Sequence, residues 1–220
     1  MTLVSFNGNN GASPFGALLQ GSDDNFYGTT AGTLDGSFGG MVFRMTPDGE
    51  LTNLVTFNLS NGATPSGGLV QDSDGNLYGT TEWGGNLSVN GGYGFGTVFK
   101  LTPPKSLRTL LPLGGSNGSY CFSGLVQGSD GNFYGTTTGG GAGGGGTVFK
   151  ITPAGTLTTL VAFKGSDGRS PQASLIQGSD GNFYGTTKYG GAGGGGTVFQ
   201  MTPAGTLKTL VAFGDQPNSP

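Results

Sequence analysis

An eleven-residue phrase, Gln-Gly-Ser-Asp-Gly-Asn-Phe-Tyr-Gly-Thr-Thr, stands at Gln127–Thr137 and returns in near copies at Gln20–Thr30, Gln71–Thr81 and Gln177–Thr187. Its tyrosines, Tyr27, Tyr78, Tyr134 and Tyr184, are spaced by 51, 56 and 50 residues. Self-similarity at such a period confines the chain to a propeller, solenoid or array, because each repeat cannot bury its apolar face without a neighbour. One repeat domain is expected over 1–220, with repeats at 15–58, 66–113, 122–163 and 173–213. The 49 glycines and 11 prolines would mark an aperiodic chain as low-complexity. The same Leu, Val, Phe and Tyr return in the same order, a pattern that a disordered segment has no reason to keep.

Repeat three shows the internal order best. Strand a, ending at Gln127, runs into Ser129-Asp-Gly-Asn132, whose Asp-Gly suits a tight hairpin turn. Strand b, Phe133–Thr137, is aromatic and β-branched, and a glycine-rich loop follows it. Strand c, Thr147–Thr152, is stopped by Pro153-Ala-Gly155, and strand d, Leu157–Phe163, is apolar or small on both faces, as a sheet stacked between two others requires. Four antiparallel strands every fifty-odd residues match a propeller blade, so an all-β, four-bladed β-propeller-type array with almost no helix is expected. Strands a at Ala17–Gln20, Gly68–Gln71, Gly124–Gln127 and Ser174–Gln177 define four a-b-c sets.

Five d strands serve those four sets: Thr2–Phe6 (within 1–7), Leu51–Phe57, Leu107–Leu113, Leu157–Phe163 and Leu207–Phe213. Thr2–Phe6 is expected to remain as an unpaired edge, a template for another chain with no proline or charge to blunt it. Self-association is therefore expected through Leu3, Val4, Phe6, Leu207, Val211 and Phe213, giving a ring if the rotation closes and a filament if it does not.

With 9 basic against 12 acidic residues and no basic run, no nucleic-acid footprint is present. One cysteine, Cys121, and no histidine exclude an intrachain disulfide, a Cys/His zinc site and a histidine base. No apolar run approaches the roughly 20 residues of a transmembrane helix, so no membrane insertion is expected, and no signal peptide is visible. The Ser-Asp-x-Asn turns have too few carboxylates for calcium, and the glycine runs 139–146 and 190–196 open strands rather than the helices that phosphate loops need. No metal or other cofactor is expected.

Up-and-down strand order puts uniform a-b and c-d turns at one end and variable b-c and d-a connections at the other, where binding on a repeated scaffold usually lives. The b-c loops run 31–40, 82–96, 138–146 and 188–196, repeat two having the longest. Aromatic residues gather at that end: Trp83, Tyr93 and Phe95 in the long loop, Phe38, Tyr189, and Phe15, Tyr120 and Phe122 in the d-a connections. Rings beside amides and hydroxyls suit carbohydrate stacking, and they also cap cores and fill interfaces. Glu82 and Asp35 are the acids of the b-c loops, so a glycan-active enzyme would have to work through Glu82 with a loop acid. The weightier expectation is a non-catalytic scaffold that associates with copies of itself. Glycan binding through Trp83, Tyr93, Phe95, Tyr120, Tyr189 and Glu82 is the alternative. Arg44, Lys100 and Lys150, with Gln200 as the fourth, share one position of strand c, where long stems cover apolar surface and heads reach water.

Tyr-Gly-Thr-Thr, then Gly-Gly-x-x-Gly-x-Gly-Thr-Val-Phe-Lys-x-Thr-Pro and Leu-x-x-Leu-x-x-Phe, resembles the Gloeo/Verruco (GloVer) tandem repeat of bacteria. The likeness is cleanest over Tyr134–Phe163 and Tyr184–Phe213; repeat two departs by its inserted loop and repeat three by Leu113 in place of Phe. It implies a secreted or surface-anchored array, hence an extracellular location, and assigns no catalytic residue.

Overall fold

The computed structural model describes residues 2–32 and 38–214. Its strands form four antiparallel four-stranded sheets in simple meander order, one per repeat. Blade one holds β1 (Leu19–Gln20), β2 (Phe26–Gly32), β3 (Phe38–Met45) and β4 (Leu51–Thr56). Blade two holds β5 (Val70–Gln71), β6 (Leu77–Thr81), β7 (Thr97–Thr102) and β8 (Ser106–Pro112). Blade three holds β9 (Val126–Gln127), β10 (Phe133–Thr137), β11 (Thr147–Ile151) and β12 (Leu157–Ala162). Blade four holds β13 (Ile176–Gln177), β14 (Phe183–Thr187), β15 (Thr197–Met201) and β16 (Leu207–Ala212). The helical content of the described residues is one 3-10 turn, Asn90–Gly92. The all-β, propeller-type fold is thus the one expected. Two compact units are formed, Met1–Gly114 with Tyr120–Leu125, and Gly115–Ser119 with Val126–Pro220.

Blades are joined by the phrase that marks the repeat. The glycine of Tyr-Gly-Thr-Thr leaves a slot for the strand-c phenylalanine: a Cβ on Gly79 would lie 2.5 Å from Phe99 Cζ and 2.9 Å from Leu69 Cδ2. Gly28 stands likewise to Phe43 and Leu18, and Gly185 to Phe199 and Leu175. Against the filled slot packs the last aromatic residue of the preceding blade's outer strand. Phe57 meets Phe99 at 5.2 Å between ring centroids, and Phe163 meets Phe199 at 5.4 Å. The first threonine of the phrase carries a bond to the following repeat, Thr29 to the Gly67 carbonyl at 3.0 Å and Thr80 to Ser123 at 2.9 Å. Where the inner strands meet, Gly67 lies so close that an added Cβ would be 2.5 Å from the Gly124 nitrogen, a distance only glycine tolerates.

The N-terminal expectation requires correction. Thr2–Phe6 forms no strand, because a d strand is held by the c strand of its own blade and no described residue pairs with this segment. It lies instead across the face of blade one. Phe6 packs on Phe43 at 5.4 Å, the separation of Phe163 and Phe199. The Leu3 carbonyl approaches Gly49 as the Leu160 carbonyl approaches Gly205. Thr-Leu-Val-Ser-Phe thus sits where the Thr-Leu-Val-Ala-Phe of a preceding blade would sit.

The second threonine pairs within its own blade. Thr81 and Thr97, Thr137 and Thr147, and Thr187 and Thr197 each join hydroxyls at 2.8 Å. Blade one has Met41 opposite Thr30, and the buried Thr30 hydroxyl has no partner among the described residues. An orphaned buried hydroxyl costs about 1–3 kcal/mol, so removing it should help where removing a paired one harms. Thr30→Val should therefore raise the melting temperature and Thr137→Val should lower it, each by an amount corresponding to about 1 kcal/mol or more. Thermal unfolding followed by circular dichroism checks the two opposite signs.

Candidate functional site

At the variable end, each d-a connection bridges to the b-c loop of its own blade: Ala12 with Gly32, Ala63 with Trp83, Ser119 with Gly139 and Arg169 with Tyr189. The next residue holds a left-handed backbone in every repeat, Ser13, Thr64, Tyr120 and Ser170 having φ of 56°, 56°, 62° and 54°. Its N–H donates into the preceding loop, as Thr64 does to Gly39, Tyr120 to Phe95 and Ser170 to Gly145. Small polar residues take such a conformation at modest cost, and a tyrosine does so only when its surroundings enforce it.

Those surroundings are the long loop of repeat two. The Tyr120 ring lies 4.8 Å from Trp83 and 5.8 Å from Phe95, and Trp83 meets Tyr93 edge-on at 6.4 Å. Four of the rings singled out by the sequence are therefore one cluster within the first unit. Trp83, Phe95 and Tyr120 are half-buried and Tyr93 is 46% exposed. Tyr189, the repeat-four counterpart of Trp83, belongs to the second unit, where the Lys188 ammonium lies 5.1 Å from its ring centre. Asp35 lies outside the described residues, as does the side chain of Phe38.

Beside the cluster a cavity of about 480 Å³ is lined by Phe15, Thr64, Ser66, Glu82 and Phe122. Burial pushes the Glu82 carboxyl above the usual carboxylate range, partly offset by a hydrogen bond from the Trp83 indole. Cys121, next to this wall, is buried, and its thiol is pushed up to about 12 by that burial. Thr64 and Ser66 were missed by sequence reasoning. Aligning Ser-Pro-Phe, Thr-Pro-Ser and Tyr-Cys-Phe at 13–15, 64–66 and 120–122 would have found them.

At the uniform end the aspartates serve their turns. The tyrosine hydroxyls of Tyr27, Tyr134 and Tyr184 donate to Asp23, Asp130 and Asp180 at 2.9, 2.9 and 2.8 Å. In repeat two the acceptor moves to Asp72, which takes the Tyr78 hydroxyl at 3.0 Å. Each of two strand-c heads meets the tyrosine of its own blade: Lys100 stands 5.4 Å from the Tyr78 ring centre, and Gln200 donates to the Tyr184 hydroxyl at 2.8 Å. Burial works to raise the Asp23 carboxyl, but hydrogen bonds from Asn25 and Tyr27 outweigh it and hold it below 3.8. Burial, then the bond to Asp23, pushes the Tyr27 phenol up to about 12 from 10.0, and Tyr78 and Tyr134 are raised by the same causes. The lowered aspartates contribute stability that is present above their unfolded value and lost as pH falls through the folded one; the raised tyrosines contribute stability present below 10.0 and lost as pH rises toward 12. The melting temperature should hold between these limits and fall on both sides. Phenolate absorbance of Tyr27, Tyr78 and Tyr134 should appear only as the chain unfolds.

No curated protein matches the chain. Among solved structures it resembles the extracellular domain of a candidate one-component system from B. thetaiotaomicron, at 14% identity and a TM-score of 0.60, over 91% of this chain and 22% of that one. It resembles a gluconolactonase of Xanthomonas campestris at 16% identity and a TM-score of 0.56, over 88% of this chain and 60% of that one. A luciferin-regenerating enzyme matches at 14% identity and a TM-score of 0.57, over 90% of this chain and 64% of that one. The chain therefore spans less than two thirds of each of these neighbours, and at such identities the likeness is one of fold. The model of the Gloeobacter/Verrucomicrobia repeat matches residues 1–127 and 87–220. With every repeat covered by that match, the chain belongs to the Gloeobacter/Verrucomicrobia repeat family.

Proposed function

We propose that this chain is a non-catalytic repeat scaffold that associates with copies of itself, the fourth blade of one copy seating on the first blade of the next. One contrast carries this reading. In blade three Val161 is 8% exposed and Phe163 is fully buried, whereas their blade-four counterparts Val211 and Phe213 are 45% and 51% exposed, with Ile176 at 65%. Burying such a side chain contributes about 1.5–3 kcal/mol, so the open face gains from a partner built like a blade. Such a seat is supported by blade one, where Thr2–Phe6 fills the docking position and leaves a cavity of about 410 Å³ between Leu3, Val4, Phe6, Leu18, Phe43 and Met45. Leu207–Phe213 brings the same residue pattern already ordered by its own sheet. On this reading the interface is a stack of faces rather than the edge pairing expected from the sequence.

The non-catalytic part rests on Glu82, the one carboxylate among the described residues lining its cavity, where two-carboxylate glycan hydrolysis needs a pair. Carbohydrate stacking on the cluster has less support, since Trp83 and Tyr120 already cover each other. We place the scaffold outside the cell, supported by the array character of the family and by the fold it shares with an extracellular domain. Deleting Thr2–Phe6 vacates the seat and should increase the mass seen by light scattering, while Val211→Asp with Phe213→Asp should leave monomers in either background. Monomers from both the intact and the deleted chain at high micromolar concentration would overturn the proposal, as would oligomers untouched by the two aspartates.

A further inference from the structure

The acid of the cavity at Glu82 occurs in one repeat only. The residue after Tyr-Gly-Thr-Thr is Ala31, Glu82, Thr138 or Lys188, so repeat two alone supplies an acid there. Phe15 comes from the connection entering blade one and Phe122 from the one entering blade three, so the acid stands among residues of three successive repeats within one compact unit. Among the described residues its lining contains no lysine or arginine, and beside the Glu82 carboxylate and the Thr64 and Ser66 hydroxyls it includes the Phe15 and Phe122 rings. Phe15 is 75% exposed and Phe122 38% exposed, an unusual place for two large apolar side chains flanking a half-buried acid.

We propose that the cavity walled by Phe15, Phe122 and Glu82 is a binding site for an organic ammonium cation. Its volume of about 480 Å³ lies in the range of small-molecule sites. Phenyl faces attract a positive charge through their quadrupole, and alkylated ammonium groups are the cations that aromatic walls hold best, because they are weakly hydrated. The carboxylate, drawn partly out of water without a basic side chain in its wall, gains the counter-charge that the cavity lacks. A neutral sugar would leave that charge uncompensated and an anion would be repelled by it. The site shares no residue with the open face of blade four, so it stands or falls apart from self-association.

Trp83, the only tryptophan, donates its indole N–H to Glu82 and so reports on the site through one amide-type resonance. Titrating the full chain with choline should shift that resonance saturably. Dimethylbutanol, the uncharged isostere of choline, should bind about tenfold more weakly or worse, as should choline to Glu82→Gln. Phe15→Ala, at a position too exposed to threaten the fold, should weaken choline about threefold or more. The proposal is overturned if dimethylbutanol matches choline, if Glu82→Gln binds choline as the parent does, or if choline leaves the indole resonance unmoved at high millimolar concentration.

Discussion

The structure hangs on a missing methyl group. Because Gly28, Gly79 and Gly185 have no side chain, the strand-c phenylalanines Phe43, Phe99 and Phe199 approach strand b closely, and Phe6, Phe57 and Phe163 pack against them. A side chain there would collide with ring and neighbour alike, and overpacking of a dense core displaces everything around it. The threonine beside it then ties blade to blade, and its successor ties strand b to strand c. Four consecutive residues thus supply ring, slot, tie and clasp, which explains why these four vary least among the repeats.

Strand order, turn positions and the all-β fold were legible because they rest on local chemistry: Asp-Gly and Pro-x-Gly turns, β-branched runs and a fixed period. The packing role of Gly79 and the hydroxyl pairing of Thr81 with Thr97 were not, since both involve residues of the next strand, Phe99 and Thr97, whose approach only the sheet register sets. Thr2–Phe6 was misread for a related reason. Its residues are those of an outer strand, but strand formation depends on a ladder partner, whereas docking on a neighbouring face depends only on side-chain shape.

The aromatic cluster was half legible. Trp83, Tyr93 and Phe95 stand in one inserted loop, and their nearness to each other follows from that. Tyr120 joins them from the next repeat, through a backbone conformation that its counterparts Ser13, Thr64 and Ser170 share and that no tyrosine adopts unaided. Divergence from the repeat is concentrated here: an insertion, a tyrosine for serine or threonine, a cysteine for proline and an acid, all around one junction. The rest of the chain repeats its packing; this junction departs from it in several residues that touch.

A segment that copies the outer strand of a blade, yet belongs to no sheet, behaves as a tethered ligand. Held a few residues from its seat, Thr2–Phe6 has an effective local concentration of the order of millimolar. Any untethered copy of the same motif must outcompete that figure, which a rigid strand can do through lower ordering entropy and added contacts. The apolar face of the first blade is therefore covered by a segment of its own chain, and any competitor built like an outer strand would have to displace it.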